Sequence, residues 1–298
     1  MSSEPRIHGL AESREPSVPA SDGVPAVRRP EVSRLGVLWR MALTAIGFAR
    51  FGAGVVWLSK WTMPRLIRDG GPHGHMDALR AAHTKTVSYL ALLRRLDLVA
   101  VETSGSPHAT PCVVVANHPS LLDFIVMLAD LPTAVCLFKR KSLDNPVLAD
   151  FLRHARYVEG MDGTASANRR IVADCIERLR AGNHVVIFPE GTRSPGALTP
   201  GRFKTTAFHV AMKGDVAVQP VAIFCDPLFL GKHQGWVAFC RRRNVMHVRY
   251  LPVITAADLP ADKRNASGLA DAATASICAA LAELAHASGD AATVTAER

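Results

Sequence analysis

The order of apolar and polar positions divides the chain into three regimes. Residues 1–33 mix Pro, Ser, Glu and Arg with no apolar period, so they cannot bury enough surface to order themselves and are expected to be disordered. No apolar core follows a basic start within them, so they do not read as a secretory signal. Residues 35–61 are strongly apolar and hold three of the four tryptophans, Trp39, Trp57 and Trp61. Arg40, Arg50 and Lys60 interrupt this run, leaving charge-free stretches at 41–49 and 51–59 that are too short to cross a bilayer, which takes ~20 apolar residues. At ~100° per residue the three charges fall in one half of a helical wheel, and tryptophan favours the membrane–water boundary. The segment is expected to lie in the interface as a helix, or as a shallow re-entrant pair broken near Gly52 and Gly54. A true span with Arg50 snorkelling is the second reading, and a buried helix of a soluble domain the third.

The third regime alternates between short β-branched runs and helical periods. Residues 64–75 read as a Gly/Pro/His-rich connector in which His73 and His75 are solvated. A helix is expected over 76–96, with an uneven stripe of Leu79, Thr86, Leu90, Leu93 and Leu96, and with Arg94 and Arg95 suiting its C-terminal dipole. Strands are expected at 99–101, 111–116, 134–138, 155–158, 185–188, 216–224 and 247–253. Helices are expected over 119–128, 146–154, 165–180, from about 203 through 212, and over 269–285. The pattern predicts an α/β fold, a mixed central sheet flanked by helices, with an N-terminal membrane-associated helical element. It divides the chain into a segment 1–33, a helical segment 34–96, a main domain 97–290 and a frayed tail 291–298. Pro220 inside a strand predicts a sheet edge or a bulge. Arg241, Arg242 and Arg243 read as a basic hairpin tip.

Two strand ends carry candidate chemistry. The valine run 113–115 stops at Ala116-Asn117, and His118, Pro119 and Ser120 follow at a helix start, with Asp123 one turn inside. An aspartate that holds a histidine makes it a general base; the bland reading is a polar helix cap. The run Val185-Val186-Ile187-Phe188 enters Pro189-Glu190-Gly191-Thr192-Arg193-Ser194. Here Gly191 lets backbone approach closely, and the Arg193 guanidinium suits a phosphate; the bland reading is a turn pinned by a Glu–Arg pair. Lys139-Arg140-Lys141 lies just past a strand end, where ligands of open α/β sheets tend to sit. Asn117 either orients its turn or donates to a developing oxyanion.

Charge and cysteine usage narrow the classes. The formal net charge of +9 favours an anionic partner. Aromatic residues make up only 6% and do not interleave with the basic clusters, which argues against nucleic acid. The six cysteines form no C-x-x-C pair, so no metal site is expected, and they read as core residues of a reducing compartment.

Together, His118-x-x-x-x-Asp123 and Phe188-Pro189-Glu190-Gly191-Thr192-Arg193 resemble the glycerolipid acyltransferase family, whose best-known members are the 1-acylglycerol-3-phosphate acyltransferases. The resemblance runs from about residue 99 to 255. It implies transfer of a fatty acyl group from acyl-CoA or acyl-carrier protein to a hydroxyl of a lysophospholipid in phospholipid biosynthesis, with no cofactor. His118 and Asp123 are then the catalytic pair. Glu190, Gly191, Thr192, Arg193, Asn117, Lys139 and Lys141 are the expected substrate-binding residues. Gly201, Phe203 and Lys204 match what the family shows after its phosphate turn, and Gln219-Pro220-Val221 resembles its fourth block. The sequence departs from the family at 157–163, where an arginine usually holds the acceptor phosphate and none stands here; Arg169 or Arg170 is the substitute. That departure keeps other lysolipids, aminolipids and glycolipids open as acceptors. An esterase would need an activated nucleophile, and Ser120 lacks an elbow around it. A non-catalytic basic scaffold at a membrane is the reading from another class. The expected setting is the cytoplasmic face of a membrane, the inner membrane in a bacterium, with the lipid surface as a partner.

Overall fold

The computed structural model describes residues 33–160 and 165–296. The expectations for residues 1–32 and 161–163 lie outside the described residues.

A seven-stranded sheet forms the centre. In chain order its strands are β1 (Val99–Ser104), β2 (Val113–Ala116), β3 (Val135–Lys139), β4 (Val158–Gly160), β5 (Val185–Ile187), β6 (Val218–Asp226) and β7 (Asn244–Tyr250). Their spatial order is β1-β7-β6-β2-β5-β3-β4. Neighbours pair in parallel throughout except β6 and β7, so β1 and β7 run against the other five. All four residues of β2 are buried, as a strand covered on both faces requires.

The helices are α1 (Arg34–Trp57), α2 (Met63–Asp69), α3 (Gly74–Arg95), α4 (Asp123–Asp130), α5 (Pro146–His154), α6 (Ala165–Arg180), α7 (Thr206–Gly214), α8 (Trp236–Cys240) and α9 (Ala266–Ala296). The mixed sheet flanked by helices is the predicted architecture, and α5 and α6 have the predicted bounds. The α9 helix runs beyond 285 and through the expected frayed tail as far as Ala296.

Several expectations are corrected. Of the two interfacial forms, the re-entrant pair is excluded: no break occurs at Gly52 or Gly54, α1 runs through both, and a π turn over Leu58–Thr62 leads directly into α2. In that turn the Met63 N–H donates to the Leu58 carbonyl, and Pro64, which has no N–H to offer, sits in the first turn of α2. Most of the expected connector 64–75 is therefore helical. The three charges on one half of the wheel do not share a setting: Arg40 is 7% exposed, and donates to the backbone carbonyls of Asp97, Cys240 and Arg242. One side of α1 is thus fastened to the domain. Its other side exposes Leu35, Leu38, Trp39, Ile46 and Trp57, with Trp61 just beyond. The helical stretch Arg34–Asp69 is long and apolar enough to cross a membrane, as is Ala266–Ser288.

Pro220 is not at a sheet edge, because β6 lies between β2 and β7. The pairing is irregular beside it: two residues lie between Val218 and Val221, while three lie between their partners Ile254 and Tyr250, so the extra residue is on the segment opposite Pro220 and not in β6 itself. Nor do Arg241–Arg243 form a hairpin tip, since α8 fills the β6–β7 connection and the three arginines lie at the foot of β7.

Candidate active site

The parallel strands β2, β5 and β3 end on one side of the sheet, and their C-terminal residues feed a cavity of about 2170 Å³. His118, Phe188, Glu190, Gly191, Thr192, Arg193 and Lys139 all line it. Its opposite wall is made by α1 and α3. Apolar side chains, among them Phe51, Leu58, Tyr89, Phe124 and Phe151, fill most of the surface between the two walls.

The expected start of α4 at 119 is four residues too early. The helix starts at Asp123 and not near Pro119, because residues 120–122 form a turn that wraps the aspartate's own carboxylate. Asp123 Oδ2 accepts from the Ser120 N–H at 2.8 Å and lies 2.8 Å from His118 Nδ1. Asp123 is wholly buried and His118 keeps 20% of its side chain exposed. Burial pushes the Asp123 carboxyl up from the usual carboxylate range, while the hydrogen bond and charge of His118 pull it down. The Nδ1 contact assigns the ring proton to that nitrogen and leaves Nε2 as the basic lone pair. The ring also stacks on Phe188, with centroids 4.3 Å apart and planes 23° from parallel.

The turn after β5 builds the floor under this histidine. Glu190 Oε1 accepts from the His118 N–H at 3.0 Å and from Ser194 Oγ at 2.6 Å, and Oε2 accepts from the Gly201 N–H at 2.7 Å. Ser194 Oγ accepts from the same His118 N–H at 3.0 Å, and the Ser194 N–H donates to the His118 carbonyl at 2.7 Å. Gly191 sits at φ +68°, and a Cβ there would stand 3.0 Å from Lys204 Nζ. A Cβ on Gly201 would stand 2.8 Å from Glu190 Oε2. Both positions therefore need glycine, the first for conformation and the second for space.

Four expected binding roles change. Glu190 is 6% exposed and spends its carboxylate on the chain itself, so it orients His118 and does not hold a ligand. Asn117 is fully buried, and its amide exchanges two 2.8 Å bonds with the backbone of Ile223; the turn-orienting reading stands and the oxyanion reading falls. Arg193 directs Nη1 onto the carbonyls of Leu230 and Gly231 at 2.7 and 2.9 Å, because the loop after β6 folds over the turn and brings those acceptors close. Lys141 lies in a 3-10 turn after β3 and is not part of the cavity wall, whereas Lys139 is. Neither substitute arginine reaches the cavity: Arg169 is outside its lining, and Arg170 pairs with Asp174 at 3.7 Å. Thr192 is exposed and lines the cavity.

The sequence reading missed Ser194, four residues after Glu190 in the same motif, and the stacking role of Phe188. It also missed the charge of the cavity as a whole. Eight lysines and arginines line it, and Glu190 is the one carboxylate among the lining residues. Ser120 is no nucleophile candidate, since it is fully buried and its Oγ accepts from the Leu122 N–H. Among the described residues no group of three His, Cys, Asp or Glu side chains could hold a metal ion. Five cysteines are buried and Cys278 is exposed.

A histidine backed by a buried aspartate, at the strand ends of an α/β sheet and beside a glycine-bearing basic turn, defines a class of transferase sites. The family described as Acyltransferase matches residues 99–224, which include both motifs. Mouse 1-acyl-sn-glycerol-3-phosphate acyltransferase alpha is 30% identical over 197 residues, 62% of this chain and 67% of that protein. The human beta protein of the same name is 32% identical over 164 residues, 51% of this chain and 56% of that protein. The crystal structure of the 1-acyl-sn-glycerophosphate acyltransferase PlsC from Thermotoga maritima superposes with a TM-score of 0.63 at 20% identity, covering 84% of this chain and 97% of that one. The chain belongs to the glycerolipid acyltransferase family. It spans about half to two thirds of the length of the first curated relatives it matches.

Proposed function

We propose that the protein is an O-acyltransferase that moves a fatty acyl group from a thioester donor to the free hydroxyl of 1-acylglycerol-3-phosphate, a step of phospholipid biosynthesis. The observation that carries this reading is the 2.8 Å His118–Asp123 contact at the wall of a large, mostly apolar and cationic cavity. His118 Nε2 takes the proton of the acceptor hydroxyl as its oxygen attacks the thioester carbonyl. A C–O bond forms, the C–S bond breaks, and the imidazolium returns the proton to the departing thiolate. Asp123 holds the tautomer and stabilises the imidazolium. The acyl group passes directly to the acceptor, so no acyl-enzyme forms. The acceptor phosphate lies against Lys139, Arg202 and Lys204, which line the sheet side of the cavity, with the Gly191-Thr192 backbone beneath it.

The protein rests on the cytoplasmic face of a membrane, the inner membrane in a bacterium. The interfacial reading is supported by α1, which is fastened through Arg40 on one side and exposes Trp39, Ile46 and Trp57 on the other. Such a helix can dip its free face into the headgroup region without leaving the domain. One observation favours a second acceptor class, another lysolipid, an aminolipid or a glycolipid: no arginine stands at 157–163, and Glu159 within β4 lies 3.3 Å from Arg140.

Purified protein, a labelled acyl donor and a panel of lysolipids test both readings. Lysophosphatidic acid is expected to be the preferred acceptor, and His118→Ala to lose about 10²–10⁴-fold in rate. Full activity in that variant would end the general-base assignment. Preference for a choline or sugar headgroup would install the second reading.

A further inference from the structure

The cavity carries more positive charge than one acceptor phosphate uses. A phosphomonoester brings about two negative charges at neutral pH. Lys139, Arg202, Lys204 and Lys232, from the sheet side and the loop after β6, already exceed that, and Arg193 is occupied by two carbonyls. Three further cations, Arg50 on α1 and Lys85 and Arg95 on α3, line the opposite wall. All three are exposed, and none has an ion-pair partner among the described residues. This contrasts with Arg40 and Lys60 on the same helical stretch, paired with Asp97 and Asp150.

Their arrangement is a row. Gly47 packs on Leu93 and Phe51 on Tyr89, so α1 and α3 run antiparallel and Arg50 stands level with residue 90. At 1.5 Å rise per residue, Arg50 falls about 7.5 Å along the axis from Lys85 and as far from Arg95. Spread charges of this kind suit several phosphates strung along one molecule better than a single compact anion. The row borders the cavity and does not stand on a flat outer face, which favours a small polyanion over an acidic protein surface.

We infer that Arg50, Lys85 and Arg95 form a second anion site, which takes the phosphates of a nucleotide thioester donor of the coenzyme A class and points its thioester across the cavity toward His118. The inference rests on the acyl-transfer reading and names its donor.

The test compares two donors that share an acyl group: acyl-CoA, and acyl-pantetheine, which lacks the phosphates. In the full-length protein, Arg50→Gln, Lys85→Gln and Arg95→Gln combined are expected to raise the KM for acyl-CoA about tenfold or more. The KM for acyl-pantetheine, the KM for the lipid acceptor and binding to anionic vesicles should stay as they were. Free coenzyme A should bind the His118→Ala protein and lose affinity when the three changes are added, a readout that does not depend on turnover. Equal shifts for both donors, a raised acceptor KM, or loss of vesicle binding in place of the donor effect would each overturn the assignment, the last by showing that the row reads bilayer phosphates. Turnover with acyl-carrier protein but not acyl-CoA would overturn it in favour of a protein donor. Undiminished activity of His118→Ala would instead remove the catalytic reading while leaving the coenzyme A binding result to stand or fall by itself.

Discussion

The two walls of the cavity treat polar groups in opposite ways. On the sheet side the groups packed around the histidine are engaged within the chain: Asp123 with His118 and Ser120, Glu190 with His118, Ser194 and Gly201, Arg193 with two carbonyls. On the helical side Arg50, Lys85 and Arg95 stand exposed with no acid partner among the described residues. The difference separates two tasks. A base must be held within a fraction of an ångström before substrate arrives, so its shell is closed and buried. Groups that recognise a mobile, hydrated ligand must stay open, because a charge already paired has little left to offer a ligand.

The largest effect is expected where the closed shell meets the chemistry. Asp123→Asn keeps an acceptor for the Ser120 N–H but removes the charge behind the imidazole. It should cut kcat by about 10²–10⁴-fold with little change in either KM. A mainly KM-directed loss would place Asp123 in binding instead.

Next comes the second ring of the same wall. Glu190→Gln leaves volume and hydrogen-bonding groups in place but removes the carboxylate that ties Ser194, Gly201 and the His118 N–H together. Because one of its oxygens becomes a donor, at least one of these N–H or O–H groups loses its acceptor, at a cost of about 1–3 kcal/mol. A lowered thermal midpoint is expected, together with a tenfold-scale fall in kcat. An unchanged midpoint with a raised acceptor KM would restore Glu190 as a ligand contact.

The helical wall is broken from behind. Arg40→Met leaves the carbonyls of Asp97, Cys240 and Arg242 without their donor, in a site where Arg40 itself is 7% exposed. A loss of about 2–4 kcal/mol in urea unfolding is expected, as for removal of one buried charged partner. A near-neutral result would mean that α1 is held by its apolar face alone.

The smallest effect is a pH dependence far from the site. Burial holds the His184 imidazole below its usual 6.5, and the nearby His108 adds to this. A histidine that stays neutral in the fold takes up its proton more readily when unfolded, so stability should fall as pH drops through about 6.5. Asp130 works in the opposite sense at lower pH: burial raises its carboxyl, so folded protein binds that proton first. Urea midpoints at pH 7.5 and 5.5, with and without His184→Gln, isolate the first contribution. A variant with the same slope as the parent would refute it.

Much of this molecule is legible in the order of its residues, for a local reason. Strand ends followed by His118 or by Glu190-Gly191-Thr192-Arg193, and helices such as α5 and α6, are set by contacts within a few positions, so period and turn chemistry reveal them. The motif pair also identified the family, because the residues beside the histidine can be quoted directly from the chain. What only the tertiary structure decided are the partners. Residue order makes Arg193 a candidate phosphate fork, whereas the loop at Leu230 supplies its acceptors. Glu190 and Asn117 resembled ligand contacts until backbone N–H groups 72 and 106 residues away in sequence claimed them. Arg40, Arg50 and Lys60 looked alike on a helical wheel, yet one is buried, one lines the cavity and one is ion-paired. A hydrogen bond or ion pair is a relation between two places in space, and residue order states only one of them.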